Sequence, residues 1–496
     1  MSWKRGEGGR IGAAFLAGVL VLSVTGVAYG MSRYRFDQPV VYDSLEEHYK
    51  YGSIGGDVEN GLPLEVMKVL PRAFPEYLPP GGAADYTAFG FVQEPGKDMP
   101  IGFSVRQHLI PRTGLNCAPC HVGSWRASGD EEPVVYLGMP AVNLDIGAYF
   151  QFLFRVAEDR RFTADHLLPL IEEGGAELNT ADRLLYRRLI IPTMRERLLA
   201  NRDRFAPLFA EGHPAFGPGR VDTFNPYKVN QLAEHYPGGV PPEESIGTVA
   251  YPAIWNQGIR DGLALNWDGN SPTIHDRNVG AAFGAGATRE SIDMEAIDRV
   301  TEYLRDLEVP AYPWSIDEAL LPRGEELYRQ LCADCHDPGG SRIGEVEPLE
   351  RIDTDPYRLA SYTEKLNKLL LDYGEGYDWK LTDMVKTEGY ANQPLDGIWA
   401  RAPYLHNGSV PTLRDLLTPE EKRNGKRAGF WVGHGLYDTV NVGIRADVEE
   451  SGGRPSFRFD VTLPGNSNRG HSGAYYGTEL PDLDKRALTE YLKTIR

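Results

Sequence analysis

Two short stretches constrain this chain more than anything else in it: Cys117-Ala118-Pro119-Cys120-His121 and Cys332-Ala333-Asp334-Cys335-His336. Together they use all 4 cysteines of the 496 residues. Each spells C-x-x-C-H, the signature of c-type haem attachment, in which two thiols add across the porphyrin vinyl groups and the adjoining imidazole reaches the iron from one face. A disulfide pair, or one zinc ion held by both C-x-x-C knuckles, would use the same cysteines. Neither explains a histidine directly after the second cysteine in both copies. The expectation is two covalently bound haem c groups. His121 and His336 are then the proximal ligands, and Cys117, Cys120, Cys332 and Cys335 the attachment points.

At this length the chain has room for two or three domains, and 41% apolar with 25% charged residues is ordinary globular composition. A formal charge of −18 argues against nucleic acid as a partner, and any electron donor should dock through a cationic or neutral face. The 55 glycines and 36 prolines are spread along the chain, which points to long irregular loops between helices. The expected fold class is mainly α: two cytochrome c-like haem domains with long irregular loops and an N-terminal signal or anchor helix.

Residues 1–31 begin with Lys4, Arg5 and Arg10 and continue in a charge-free, mostly apolar run from Ile11 to about Tyr29. The run is close to bilayer-spanning length, and Ala28-Tyr29-Gly30 reads as a small-residue cleavage site. A cleaved signal and a retained anchor both fit. Either places the remainder outside the cytoplasm, periplasmic or extracellular, with the N-terminal helix as the sole membrane contact if it is kept. Residues 35–100, rich in glycine and proline, read as an extended segment with short helices over the first haem domain.

That first domain is expected over 101–310. It should hold a helix from about Asp145 to Ala157, an amphipathic helical hairpin over 180–210 interrupted at Pro192, and a closing helix near 291–307. The arginines of the hairpin read as a solvated face. Pro310 and Pro313 mark a linker, and the second domain occupies 318–496. There a helix through Gly324 and Tyr328 leads into Cys332, and Ala487, Leu488, Tyr491, Leu492 and Ile495 form the apolar face of a terminal helix. A helix before C-x-x-C-H and another closing the domain is the cytochrome c plan, which the first domain is expected to repeat with a large insertion.

Asn266-Trp267-Asp268-Gly269-Asn270 resembles the Phe-Trp-Asp-Gly-Arg motif of bacterial di-haem cytochrome c peroxidases and the related methylamine-utilisation di-haem enzymes. Ala402-Pro403-Tyr404-Leu405-His406-Asn407-Gly408-Ser409 resembles their Ala-Pro-Tyr-hydrophobic-His-Asp-Gly-Ser segment. Within that superfamily the chain looks most like the rubber oxygenase branch, including di-haem fatty-acid dioxygenases. That likeness rests on Tyr51 to Gly55, Val69 to Phe74, Gly138-Met139-Pro140, Gly397 to Arg401 and Gly465 to His471. The resemblance implies that Trp267 lies between the haems as an electron relay, and that His406 supports the second haem without ligating it. It also implies that Arg277 to Gly284 line the distal side of the first haem. The glutamate acting as base in the peroxidases would fall near Ala287, where the nearest acid is Glu290.

Axial ligation decides function, because a haem with both positions filled moves electrons and one with an open position binds small oxidants. For the second haem the expected sixth ligand is His471, in a loop where the peroxidases resembled here carry a methionine, with Met384 as the runner-up. For the first haem no ligand suggests itself. No histidine occurs between His121 and His166, Met139 suits packing, and upstream His108 suits a core or surface role. The first haem is therefore expected to be open and reactive. Ala281, Ala282 and Phe283 describe an apolar pocket in which Phe283 positions substrate.

The leading expectation is a haem-dependent oxidoreductase of the dioxygenase kind, using O2 on an apolar unsaturated substrate such as polyisoprene or an unsaturated fatty acid. One alternative is a peroxidase that reduces H2O2 with electrons from a small redox protein. The other is an electron-transfer cytochrome without substrate. No compact carboxylate motif suggests a calcium site.

Overall fold

The computed structural model describes residues 37–496, so the signal or anchor expected over 1–31 lies outside them. About 41% of the chain is helical and 12% strand, which makes it mainly α with long irregular connections. Among the described residues no helix is long and apolar enough to cross a membrane.

The segment before the first motif is more regular than its composition suggests. Helices Leu45–Tyr51, Gly56–Glu59 and Leu64–Ala73 precede an antiparallel hairpin of strands Phe103–His108 and Ile110–Leu115. The short strands Gln38–Pro39 and Leu62–Pro63 pair with its two edges to give a four-stranded sheet. Leu109 makes the hairpin turn at φ +64°, a conformation unfavourable for a non-glycine residue and held here by six paired positions. Cys117 thus follows a strand. The expected helix in front of the first C-x-x-C-H is absent, because the chain before it is consumed by this sheet.

Helix Ile146–Glu158 matches expectation: Asp145 caps it by accepting from the Ala148 N–H at 2.8 Å, and Ile146, Tyr149, Leu153 and Val156 bury one stripe. The 180–210 region is not a hairpin. Helix Thr180–Leu185, capped by Asn179, runs through a π-helical turn, Tyr186–Ile190, into helix Ile191–Phe205 with helical backbone throughout. Pro192 would drive its ring against the carbonyl of Arg188 in a continued α-helix. The wider π turn relieves that clash without reversing the chain. Its arginines lie in exposed pairs such as Arg183 with Glu172 and Arg202 with Glu158, which solvent screens and which add little to stability.

Helix Met294–Arg305 buries Ile297, Val300 and Leu304 on the expected stripe. Helices Leu321–Leu331 and Asp482–Leu492 cross in close contact at Gly324, where a Cβ would lie 2.2 Å from the Ala487 carbonyl oxygen. Only glycine permits that approach.

Three apolar cores organise the molecule. One joins the N-terminal segment to the insertion, with Phe74, Phe152, Leu167 and Leu198 at its centre. A second surrounds Ala118 with Val279, Phe283 and Leu304, and draws in Tyr362, Leu366, Trp379 and Met384 from beyond the linker. The third packs Trp125 and Trp255 against Trp399, Tyr437 and Leu488. Each half of the chain therefore completes a core of the other.

Candidate haem-binding sites

The first motif is fixed by its backbone. Asn116, buried at the end of the hairpin, accepts from the Ala118 N–H at 2.9 Å and donates to the carbonyls of Tyr49 at 3.1 Å and Gly52 at 3.0 Å. A single turn, Ala118–His121, follows, and Tyr49 donates its hydroxyl to the His121 carbonyl at 2.8 Å. The His121 imidazole is oriented by Nδ1, 2.9 Å from the carbonyl oxygen of Pro252. A carbonyl only accepts, so Nδ1 carries the proton and Nε2 keeps a free lone pair, the arrangement found behind metal-bound histidines. Burial, helped by nearby Arg277, pushes the His121 pKa down to about 3 and keeps the ring neutral. Burial likewise pushes the thiols of Cys117 and Cys120 up to about 11 and about 12.

Cys117, Cys120 and His121 open onto a cavity of about 420 Å³ with mostly apolar walls. It passes Ala281 and Phe283 and extends to Phe150, Phe154, Leu198 and Phe205 of the insertion. Ala282 packs behind this wall, in the core. The Phe283 ring stands edge-on to Trp379 and Tyr373, at centroid distances of 5.0 and 5.4 Å, which holds its orientation. Among the described residues His121 is the only histidine of the wall, and His108, on the hairpin, is not part of it.

The wall has two carboxylates, and both are occupied. Asp222 accepts from the N–H groups of Phe224, Asn225 and Gly247, and Asp276 from that of Asp383 at 2.9 Å. Glu290 lies outside the cavity, exposed and paired with Arg289 at 2.6 Å, while Ala287 is buried. Met384, weighed above as a ligand for the second haem, lies in the wall of this first cavity. The N–H of its neighbour Val385 donates to the Asn270 carbonyl at 2.9 Å, which carries the segment to the first site and away from the second.

The second motif repeats the orienting device on a different support. Helix Leu321–Leu331 delivers Cys332 directly, and His336 Nδ1 lies 2.8 Å from the Gln393 carbonyl oxygen. Burial lowers the pKa of His336 as well. His471 stands close by: burial first, then the neighbouring His336, pushes its pKa down to about 3. Its Nδ1 is buried without a partner, and its ring lies 4.5 Å from that of Tyr476. The loop is held in the left-handed region at His471 (φ +49°). Its N–H donates to the Ile352 carbonyl at 2.9 Å, and Arg423 grips its carbonyl at 3.0 Å.

All four cysteines are free, and the two pairs do not converge: among the described residues no three cysteine, histidine or acidic side chains form a metal-binding group. A disulfide or a shared zinc site therefore does not account for them. Two thiols beside an imidazole with its lone pair kept free, in each place, fit a haem c. The unpartnered His471 nitrogen fits an axial ligand beside the second one.

Trp267 ties the two places together. Its indole N–H donates to the Ala250 carbonyl at 3.0 Å, and its own carbonyl accepts from the Ala391 N–H at 2.9 Å. Ala250 and Ala391 each stand two residues before the carbonyl that orients one imidazole, Pro252 and Gln393. His406 braces the same strands, stacked on Tyr390 at 4.1 Å with Nε2 3.0 Å from its hydroxyl, and its carbonyl accepts from the Ala250 N–H at 2.9 Å. Pro252 and Gln393 act through main-chain oxygens, which no residue type betrays.

Comparison with known proteins agrees with this chemistry. A family model described as RoxA-like, cytochrome c-like matches residues 389–427, which include Gln393 and the Ala402 to Ser409 segment. The chain is similar to an uncharacterized protein of Sinorhizobium fredii, 27% identical over 97% of this chain and 98% of that protein. A second uncharacterized protein of the same organism is 29% identical over 51% of this chain and 66% of its own length. A mitochondrial cytochrome c1 heme protein of Arabidopsis thaliana is 26% identical over 33% of this chain and 54% of its own length. The chain carries a cytochrome c-like domain, and haem c binding is supported by both the comparisons and the residues present.

Proposed function

We propose that this chain is an exported di-haem c-type oxidoreductase that uses the first site to oxidise an apolar, unsaturated substrate with O2. A haem c at each site supplies redox-active iron, open on one face at the first site. The observation that carries this reading is the pocket beside His121: around the space a haem would fill, its walls are mostly apolar, hold no second histidine among the described residues, and include aromatic side chains of the insertion. Its walls desolvate an alkene chain, and Phe283 fixes where the chain can lie. At the second site His336 and His471 would hold the iron, and the Trp267 ring would carry electrons between the two sites. Export rests on the charge and hydropathy pattern of residues 1–31.

The peroxidase alternative needs a base free to take a proton from H2O2. Asp222 and Asp276 are held by backbone N–H groups and Glu290 lies outside the wall, so the cavity supports it poorly. The electron-carrier reading is favoured by one feature, the Met384 thioether in the same wall, a ligand type common in cytochromes.

The test is O2 uptake by the haem-loaded protein supplied in turn with a polyisoprene emulsion and an unsaturated fatty acid, with products read by mass spectrometry. Uptake that depends on the double bond is expected. Oxidation of a reduced small cytochrome by H2O2, with no alkene-dependent uptake, would overturn the proposal in favour of the peroxidase. Two six-coordinate low-spin haems, one becoming high-spin in Met384→Leu, would leave an electron carrier.

A further inference from the structure

Between the two sites runs a set of buried and half-buried charges that does not balance. Arg260 and Asp396, at 8% and 2% exposure, form a two-pronged ion pair, with Arg260 Nη1 3.1 Å from Asp396 Oδ2. Arg401 donates to the other carboxylate oxygen of Asp396 at 2.5 Å. Its Nη1 binds the carbonyl of Pro394 at 2.9 Å, one residue from the carbonyl that orients His336, and its Nε is buried without a partner.

On the first side, Arg277 lines the cavity with Cys117 and His121 and hydrogen-bonds only to the amide oxygen of Asn278, at 2.8 Å. Among the described residues it makes no ion pair. Asn278 in turn donates to Gln257, one turn before Arg260. Two guanidiniums thus share the Asp396 carboxylate, and Arg277 has no carboxylate partner among the described residues. Burial holds the pKa of both Arg277 and Arg401 down at about 10, and Arg260 lowers both further. Buried cations persist when paired, so the set calls for two further anionic partners, one beside each C-x-x-C-H. The carboxylates that every c-type haem carries on its propionate arms have the required charge and fork geometry.

We propose that Arg277 and Arg401 anchor the propionates of the first and second haem, and that Arg260 and Asp396 join these anchors into one network through which each haem's charge acts on the other's potential. The inference rests on the reading that both motifs carry haem. A cation near a haem disfavours its ferric form and raises its midpoint; the shared Asp396 carboxylate lowers both midpoints.

The test is a spectroelectrochemical titration of the haem-loaded protein, with the two haems resolved by electron paramagnetic resonance. Arg277→Gln should lower the first midpoint, and Arg401→Gln the second, by at least a tenfold change in the oxidised-to-reduced ratio, 59 mV for one electron. Arg277→Lys and Arg401→Lys, which keep the charge and fold more readily, should restore most of each shift. Asp396→Asn should raise both midpoints together. Two haems by mass with midpoints unmoved in the glutamine variants would overturn the anchoring role, and a rise confined to one haem in Asp396→Asn would overturn the coupling. A single haem by mass in the unaltered protein would instead remove the two-haem reading on which the inference stands.

Discussion

The two C-x-x-C-H sites share one device and differ in everything around it. In both, a histidine donates Nδ1–H to a main-chain carbonyl, Pro252 or Gln393, and so keeps its other nitrogen free. Around His121 the walls are mostly apolar, with no second histidine among the described residues. Beside His336 it places His471, on a loop clamped by Arg423. On the proposed reading, the difference teaches that the motif would settle attachment and one ligand, while the surrounding loops would settle whether a second ligand is present.

The comparison breaks most sharply if the cysteines are removed in pairs. Cys117→Ser with Cys120→Ser, and separately Cys332→Ser with Cys335→Ser, should each reduce the covalent haem content from two to one by intact mass. Only the first pair should abolish alkene-dependent O2 uptake. Within the first site, Phe283→Ala should cost about 3–5 kcal/mol of stability and most of the activity. Glu290→Gln should change denaturant stability by no more than about 0.5 kcal/mol and leave turnover intact. A large loss of turnover in Glu290→Gln would restore the peroxidase reading.

At the second site, His471→Leu should convert one low-spin haem signal to high-spin and leave the first haem's spectrum alone. Trp267→Phe should slow electron equilibration between the haems severalfold in flash photolysis, at a stability cost of about 1 kcal/mol for the lost indole hydrogen bond. A pH effect concerns the joint between the halves, where the His434 carbonyl faces Arg126 and its Nδ1 accepts from the Leu436 N–H at 3.0 Å. Burial lowers the His434 pKa to about 4, so between that value and about 6.5 the unfolded chain binds the extra proton and stability falls as pH falls. Across that window His434→Gln should be less acid-sensitive than the parent, by about 1.4 kcal/mol per pH unit at most.

What was legible in the sequence was what residue type and local spacing determine. The C-x-x-C-H turns, the helix Ile146–Glu158 with its Asp145 cap, the stripe of Met294–Arg305 and the paired terminal helices of the second half all follow from such signals. The strand before Cys117 did not, because its partners include two-residue edges far away in the chain and Pro111 and Gly114 dilute its alternation. Met384 shows the limit for ligands. A thioether is recognisable by type, but which site it joins depends on how 357–384 crosses to the other half. The carbonyls of Pro252 and Gln393 were out of reach altogether, since every residue offers the same atom.

The crossing of the cores bears on how such a protein can be made. The wall of the first site is completed by Leu370, Leu381 and Met384, which leave the ribosome long after Cys117 and Cys120. The third core waits longer still for Leu488, in the last helix. On the proposed two-haem reading, the first pair of thiols would stay on an unfinished surface until those segments arrive, open to the enzyme that joins haem to it. Closure comes only when the C-terminal segments arrive and seal the pocket.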